Sequence, residues 1–147
     1  MNVANGLYQQ GLITYLRTDS TRTSPEARRT VRDYISKNIG SKVLRPNPGI
    51  VGEVSDSAVQ DAHEAIRPTD PTNKSPDGLD KAQMSLYSLI WSRFAASQMV
   101  DSEYSTLSIR ACVDGFDKVL TSSKSWRVKT GCCLLYTSDA ADDGYRV

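Results

Sequence analysis

Apolar residues recur at helical spacing in two stretches of this chain and at strand spacing in a third. Ala27, Val31, Tyr34, Ile35 and Ile39 recur at helical spacing, which predicts an amphipathic helix with one buried side. Ser24 suits the N-cap, Pro25 the first helical position and Glu26 the positive end of the helix. Gly40 stops it. From Leu79 to Met99 a longer helix is predicted, with Asp80 as N-cap. Ala82, Leu86, Leu89, Ile90 and Phe94 form its apolar stripe, and Tyr87 and Trp91 stand four residues apart beside it. Further on, Leu107, Ile109, Ala111 and Val113 alternate with Ser108, Arg110 and Cys112, the pattern of a half-buried strand. Asp114-Gly115 is a hairpin-turn signal, so Phe116 to Leu120 is expected to return antiparallel. Val3 to Gln10 reads as the end of a helix closed at Gly11.

Between the helices, Ser41 to Gly78 holds most of the prolines and reads as irregular, with a short helical turn over Ala62 to Arg67 ended by Pro68. A loop this long inside a compact domain usually has a functional reason. Helices followed by strands give an α+β fold class, with a boundary near Val100 to Ser105.

With 147 residues the chain can bury one modest core, with room for a fragment of a second domain. Its net charge of +1 says nothing about nucleic acid, but the distribution does. Between Leu16 and Arg45 the basic residues Arg17, Arg22, Arg28, Arg29, Arg32, Lys37, Lys42 and Arg45 face only Asp19, Glu26 and Asp33. That excess suits a phosphate-contact surface, and equally a solvated helix face. No apolar run approaches the roughly 18 residues that span a bilayer. The N-terminus also lacks a secretory signal, so the chain reads as cytoplasmic. Cys112, Cys132 and Cys133 show no C-x-x-C spacing, which leaves structural or incidental thiols as the default rather than a zinc site.

The chemistry concentrates in Ile13 to Ser20, ITYLRTDS. A phenol with a pKa of about 10 is protonated at neutral pH, so a tyrosine nucleophile needs a cation or base close by. If Ile13 to Leu16 is extended, Tyr15 and Arg17 project from the same face. The guanidinium could then steady the phenolate and grip a phosphate through two parallel hydrogen bonds. Thr18, Asp19 and Ser20 favour a turn that would leave the pair exposed. The same spacing also describes an ordinary edge tyrosine followed by a surface arginine. A second island, His63 to Thr69 (HEAIRPT), carries the only histidine. That residue is either a packed or surface imidazole or a group that binds phosphate or passes a proton. Glu64 and Arg67 suit the organisation of this loop better than chemistry.

Together these islands, in this order, resemble the two signatures of type IA DNA topoisomerases of the bacterial topoisomerase I branch. The likeness extends from Met1 to about Phe116 and more weakly to Lys129. Met1 to Gln10 is similar to the helix before the active-site segment, and Leu86 to Met99 (LYSLIWSRFAASQM) to a long helix after the histidine motif. The resemblance implies that residues 1–100 belong to a helix-rich, winged-helix-like domain carrying the active-site tyrosine, and 101–132 to the start of a β-rich arch. It implies Tyr15 as the nucleophile that forms a 5′-phosphotyrosyl link with a cut single strand, with Arg17 and His63 at the scissile phosphate. Thr18, Asp19, Ser20, Arg22, Arg28, Arg29, Arg32 and Arg67 join Arg17 and His63 as expected DNA-binding residues. Asn5 stands where the family usually has glutamine, and Leu16 where methionine is frequent, a mild apolar exchange.

Further expectations follow from the resemblance. Met1 matches a residue internal to many relatives, so an acidic domain holding Mg2+ is expected upstream, with no metal ligands in this chain. The parent is expected to be a nucleoid-associated monomer that relaxes negatively supercoiled DNA without ATP by single-strand cleavage, strand passage and religation. The fragment alone is expected to be inactive. Cys133 to Asp142 (CLLYTSDAAD) is similar to a translated sequencing adapter, so residues 133–147 are expected to be a non-native tail. The alternative from another class is a non-catalytic single-stranded DNA-binding module. A relaxase would be expected to carry a histidine cluster. A tyrosine recombinase would place its nucleophile near the C-terminus.

Overall fold

A computed structural model of the chain describes residues 3–46, 63–112 and 118–136. The chain divides into two compact units, Met1–Val100 and Asp101–Val147. The first is helical. In it α1 spans Val3–Gln9, α2 Pro25–Asn38 and α3 Lys81–Ser97, with a 3-10 turn at Ser41–Val43.

Each helix end has a local cause. Gly11, at φ +70°, closes α1: its N–H bonds Tyr8 O, and the Leu12 N–H reaches back to Leu7 O. A left-handed residue at this position is cheap for glycine alone. Ser24 Oγ accepts from the Ala27 N–H at the start of α2, with Pro25 in the first turn. At the start of α3, Asp80 accepts from the Gln83 N–H while the Gln83 side chain accepts from the Asp80 N–H, a reciprocal capping box.

Leu7, Ile13, Ala27, Val31 and Ile35 pack with Tyr87, Trp91, Phe94, Ala95 and Met99 as the buried core of this unit. On α2 the expected stripe holds at Ala27, Val31 and Ile35, with Tyr34 half-buried. Ile39 instead is an exposed C-cap beyond the helix. On α3 the buried side is rotated from the one the spacing suggested. Tyr87 and Trp91 are its buried anchors, Leu86 and Ile90 are half-buried, and Ala82 and Leu89 face outward. Polar partners explain the rotation. Tyr87 Oη donates to Asn73 O at 2.6 Å, and Trp91 Nε1 donates to Pro71 O at 2.9 Å. Both aromatics therefore bury their rings while satisfying the carbonyls of the proline-rich segment beside them. Tyr34 meets the Trp91 ring edge-on at 5.5 Å, and Lys74 lies over it at 5.6 Å.

The second unit contains an antiparallel ribbon, β1 (Glu103–Cys112) and β2 (Val119–Lys129), in register from Cys112 opposite Val119 to Glu103 opposite Lys129, with an irregularity at Glu103/Tyr104. The expected antiparallel return is present, but β2 runs well beyond Leu120. Residues 113–117, with the Asp114-Gly115 turn signal and Phe116, lie outside the described residues. The expected half-burial of the first strand is not seen: Leu107 and Ile109 are exposed, and no residue of either strand is buried. The ribbon's register is set by backbone pairing and by cross-strand side-chain pairs, Thr106 with Ser125 at 2.7 Å and Lys129 with Glu103 at 2.7 Å, rather than by burial. A 3-10 turn at Gly131–Leu135 follows, and Ser102 Oγ donates to Thr130 O. Residues 137–147 lie outside the described residues, as does Ala62.

Candidate active site

Closing α1 at Gly11 delivers Leu12 to Thr14 alongside the HEAIRPT segment. Ile13 pairs antiparallel with Pro68. Thr14 N–H bonds Arg67 O at 2.9 Å, and Thr69 N–H bonds Leu12 O at 3.1 Å. On the other edge of the same segment, Ala65 N–H bonds Arg22 O at 2.8 Å. The segment is thus held from both sides, and residues 15–21 loop from one edge to the other. Two islands some fifty residues apart in sequence (|i−j| = 51 between Thr14 and Ala65) become one hydrogen-bonded unit. The helical turn expected over Ala62 to Arg67 is absent from 63–67, because these backbone groups bond to other segments instead of to their own turn.

Side chains reinforce the pairing. Thr14 Oγ1 donates to Ala65 O and accepts from the Arg67 N–H, both at 2.9 Å. Thr69 Oγ1 donates to Gly11 O at 2.6 Å. Arg67 forks onto Glu64, Nε to Oε1 at 2.6 Å and Nη2 to Oε2 at 2.9 Å, and its Nη1 donates to Pro68 O. Glu64 Oε1 also accepts the Ser24 N–H at 2.6 Å, which ties the loop to the start of α2. Burial pushes the Glu64 carboxyl up, but the hydrogen bonds from Arg67 and Ser24 and the guanidinium charge outweigh it and hold the group below its ordinary value. With 12 % of its side chain exposed and all three guanidinium nitrogens engaged, Arg67 serves as a brace. That use as a brace accounts for the donors otherwise expected to meet DNA.

Tyr15 follows Thr14 directly, is 46 % exposed and meets the Tyr8 ring edge-on at 5.4 Å. The chain bends at Leu16 and Arg17, so the strand alternation that would put Tyr15 and Arg17 on one face does not continue past Tyr15. Leu16 instead lines an apolar groove of about 490 Å3 with Ala4, Ile13, Ile66, Leu86, Leu89, Ile90 and Arg93. Arg17, Asp19 and His63 are exposed, while Thr18 and Ser20 are half-buried. Thr18 Oγ1 accepts from the Ser20 N–H and Ser20 Oγ from the Arg22 N–H, successive side-chain turns that shape this loop.

Beyond the loop, Arg28, Arg29 and Arg32 line an open depression of about 330 Å3 along α2, with Pro25 and Asp33. Arg32 Nη2 donates to Arg45 O, whereas Arg28 Nε and Arg32 Nη1 are buried without a hydrogen-bond partner. Among the described residues no group of three or more His, Cys, Asp or Glu side chains is placed to hold a metal ion. The Mg2+ implied by the resemblance thus has no such group of ligands among the described residues.

Thr14 and Ser24 were not among the expected site residues. Thr14 lies inside ITYLRTDS, but strand propensity accounts for a threonine there as readily as function does, and its partners are far away in sequence.

The two islands singled out in the sequence are thus joined as paired loops. A family model described as DNA topoisomerase matches residues 1–145. The chain belongs to the type IA DNA topoisomerase family, in its bacterial topoisomerase I branch. It is similar to DNA topoisomerase 1 of Vibrio cholerae, 44 % identical over 115 residues, which covers 76 % of this chain and 13 % of that protein. It is similar also to DNA topoisomerase 1 of Escherichia coli K12, 41 % identical over 111 residues, 74 % of this chain and 13 % of that one. Among solved structures, full-length topoisomerase I from Thermotoga maritima superposes with a TM-score of 0.67 at 30 % identity, over 85 % of this chain and 19 % of that one. The matched part of the chain thus spans only 13 % of the length of each of these curated relatives. No helix among the described residues is long and apolar enough to cross a membrane.

Proposed function

We propose that this chain is the tyrosine-bearing portion of a bacterial type IA topoisomerase that relaxes negatively supercoiled DNA in the cytoplasm, at the nucleoid, as a monomer. Met1–Val100 would be its winged-helix-like domain and 101–132 the start of its β-rich arch. The reading rests on one observation above all: the Tyr15 segment and the His63 loop are hydrogen-bonded neighbours through Ile13–Pro68 and Thr14–Arg67. An exposed tyrosine on one paired segment and the chain's only histidine, also exposed, on the other bring a nucleophile and a phosphate-binding group into one hydrogen-bonded unit.

In the proposed reaction, Tyr15 Oη attacks a phosphodiester of a single-stranded segment. Oη gives up its proton as the new bond joins it to phosphorus, the bond to O3′ breaks, and the 3′ oxygen takes up one proton and leaves as a hydroxyl, so the exchange is proton-neutral. The resulting 5′-phosphotyrosyl link keeps the bond energy, so religation after strand passage needs no ATP. Arg17 and His63 approach the scissile phosphate and offset its developing charge. Arg22, Arg28, Arg29 and Arg32 supply phosphate contacts along the flanking strand, with Thr18, Asp19 and Ser20 shaping the loop between. Arg67 acts by bracing that loop through Glu64. Mg2+ belongs to the intact enzyme, on ligands outside this chain, and the fragment alone is inactive.

The test is covalent capture. The chain, supplemented with the preceding segment of a related topoisomerase, is incubated with a 3′-labelled single-stranded oligonucleotide and Mg2+. Labelled protein should form and should be abolished by Tyr15→Phe. An undiminished adduct in that variant excludes Tyr15, and its absence in both supports a binding module without cleavage. Relaxation of supercoiled plasmid by the unsupplemented chain would contradict its proposed inactivity.

A further inference from the structure

We infer that Thr14 is a positioning residue whose hydroxyl fixes Tyr15 relative to His63. The inference rests on the reading of Tyr15 as nucleophile given above. No other described hydroxyl joins the two segments so close to the proposed reacting groups. Thr14 Oγ1 donates to Ala65 O at 2.9 Å and accepts the Arg67 N–H at 2.9 Å, with a longer approach to Arg67 O at 3.4 Å. Its own N–H takes that Arg67 carbonyl at 2.9 Å. One residue therefore engages both peptide groups of Arg67 and the carbonyl of Ala65. Tyr15 is its immediate neighbour, and His63 precedes Ala65 by two positions.

The rest of the surroundings makes this bond necessary. Past Thr14 the ladder ends, because the chain bends at Leu16 and Arg17, and both Tyr15 and His63 are exposed. Apart from the edge-on contact of Tyr15 with Tyr8 at 5.4 Å, neither side chain is placed by burial. Thr69 provides a contrast: its hydroxyl also bridges the two segments, to Gly11 O at 2.6 Å, but at the end of the pairing remote from Tyr15 and His63. A structural hydroxyl anywhere along the ladder would serve equally well to hold the segments together. Only one at Thr14 controls where the two exposed side chains stand.

The shape of threonine separates hydroxyl from bulk. Thr14→Val keeps the branched side chain and leaves Ala65 O and the Arg67 N–H without their partner, whereas Thr14→Ser keeps the hydroxyl. Because His63 is the only histidine, its imidazole NMR signals in the 147-residue chain report its surroundings without interference. Thr14→Val should move those signals to the positions of the urea-unfolded chain while the helical circular dichroism is retained. Thr14→Ser should restore them, and Thr69→Val should leave them in place. In the capture assay Thr14→Val should slow adduct formation by about a hundredfold, the scale of a misplaced reacting group. Thr14→Ser should stay within about threefold of the parent chain, and Thr69→Val should match it.

Unchanged His63 signals in Thr14→Val overturn the inference, as does equal loss in Thr14→Val and Thr69→Val, or failure of Thr14→Ser to rescue. Should Thr14→Val unfold, Thr14→Ala, which removes the hydroxyl without setting a methyl against Ala65 O, takes its place on the same criteria. An adduct that survives Tyr15→Phe overturns the nucleophile assignment instead, while the His63 signals still test the placement.

Discussion

Leu7, Val31 and Trp91 in the helical unit are sealed from water, whereas Leu107, Ile109 and Trp126 in the ribbon remain about half exposed. Among the described residues both regions have regular backbone hydrogen bonding, with capped helices in one and an antiparallel ladder in the other, and only the first closes on a core of its own. Hydrogen bonding sets register in either case, but burial of apolar surface supplies the free energy, at roughly 25 cal/mol per Å2. A lone two-stranded ribbon is at best marginally stable in water. The site sits on the unit that is packed. Its paired loops are anchored on α1, α2 and, through Pro71 and Asn73, on α3.

Truncating Trp91 to alanine is expected to break the contrast most. It removes the largest buried side chain and the partner of Pro71 O, at a cost of about 3–5 kcal/mol, enough to unfold the helical unit if its stability is ordinary. Urea unfolding followed by helical circular dichroism measures this. The ribbon's Trp126 then reports separately by fluorescence, and a simultaneous shift in its transition would show that the two units unfold together.

Glu64→Gln comes next. It removes the ionic partner of Arg67, whose side chain is nearly enclosed, and should cost about 1–3 kcal/mol. The same variant carries a pH signature. Because folding holds the Glu64 carboxyl below its ordinary value of 4.5, its stabilisation is fully present above that value and is lost as pH falls through the lowered one. The parent chain should therefore lose stability in acid more steeply than Glu64→Gln, and parallel curves would refute the brace.

Tyr87 gives a smaller effect at the opposite end of the scale. Burial, with the Asp70 charge second, pushes its phenol up to about 12. Its neutral form stabilises the fold below the ordinary phenol pKa of about 10, and that contribution is lost as pH rises from there to about 12. In an ultraviolet titration Tyr87→Phe should remove the phenol ionisation centred at about pH 12. Smallest of all, Leu107→Ser on the exposed ribbon should change the unfolding of either unit by no more than about 0.5 kcal/mol. A larger loss would mean that the ribbon's apolar face is covered in solution.

Much of the helical frame was legible because its causes are local. Ser24-Pro25-Glu26 and Asp80 with Gln83 place their helix starts within a few residues, and glycine closes α1 where a left-handed backbone is required. The buried side of α3 was not legible. Spacing cannot distinguish Leu89, which faces outward, from Trp91, which is drawn inward by a carbonyl twenty residues away. The length of β2 was hidden for a related reason. Serines and lysines interrupt its alternation, and pairing with β1 rather than burial sets its extent.

At the candidate site the sequence displayed the residue types, a tyrosine, its neighbouring arginine, a lone histidine and a basic helix, and their reading as a cleavage site came from the resemblance of the two islands to the topoisomerase signatures. It also marked Glu64 and Arg67 as organisers of the loop. What only the tertiary structure decided is the pairing of Leu12–Thr14 with Ala65–Thr69, the closure of that loop onto Ser24, and the bend that takes Arg17 out of strand alternation with Tyr15. Side-chain chemistry is a property of single residues and short spacings, which a sequence displays directly. The partners of a hydroxyl or a backbone amide are set by where distant segments come to rest, and burial of the core around Trp91 fixes that.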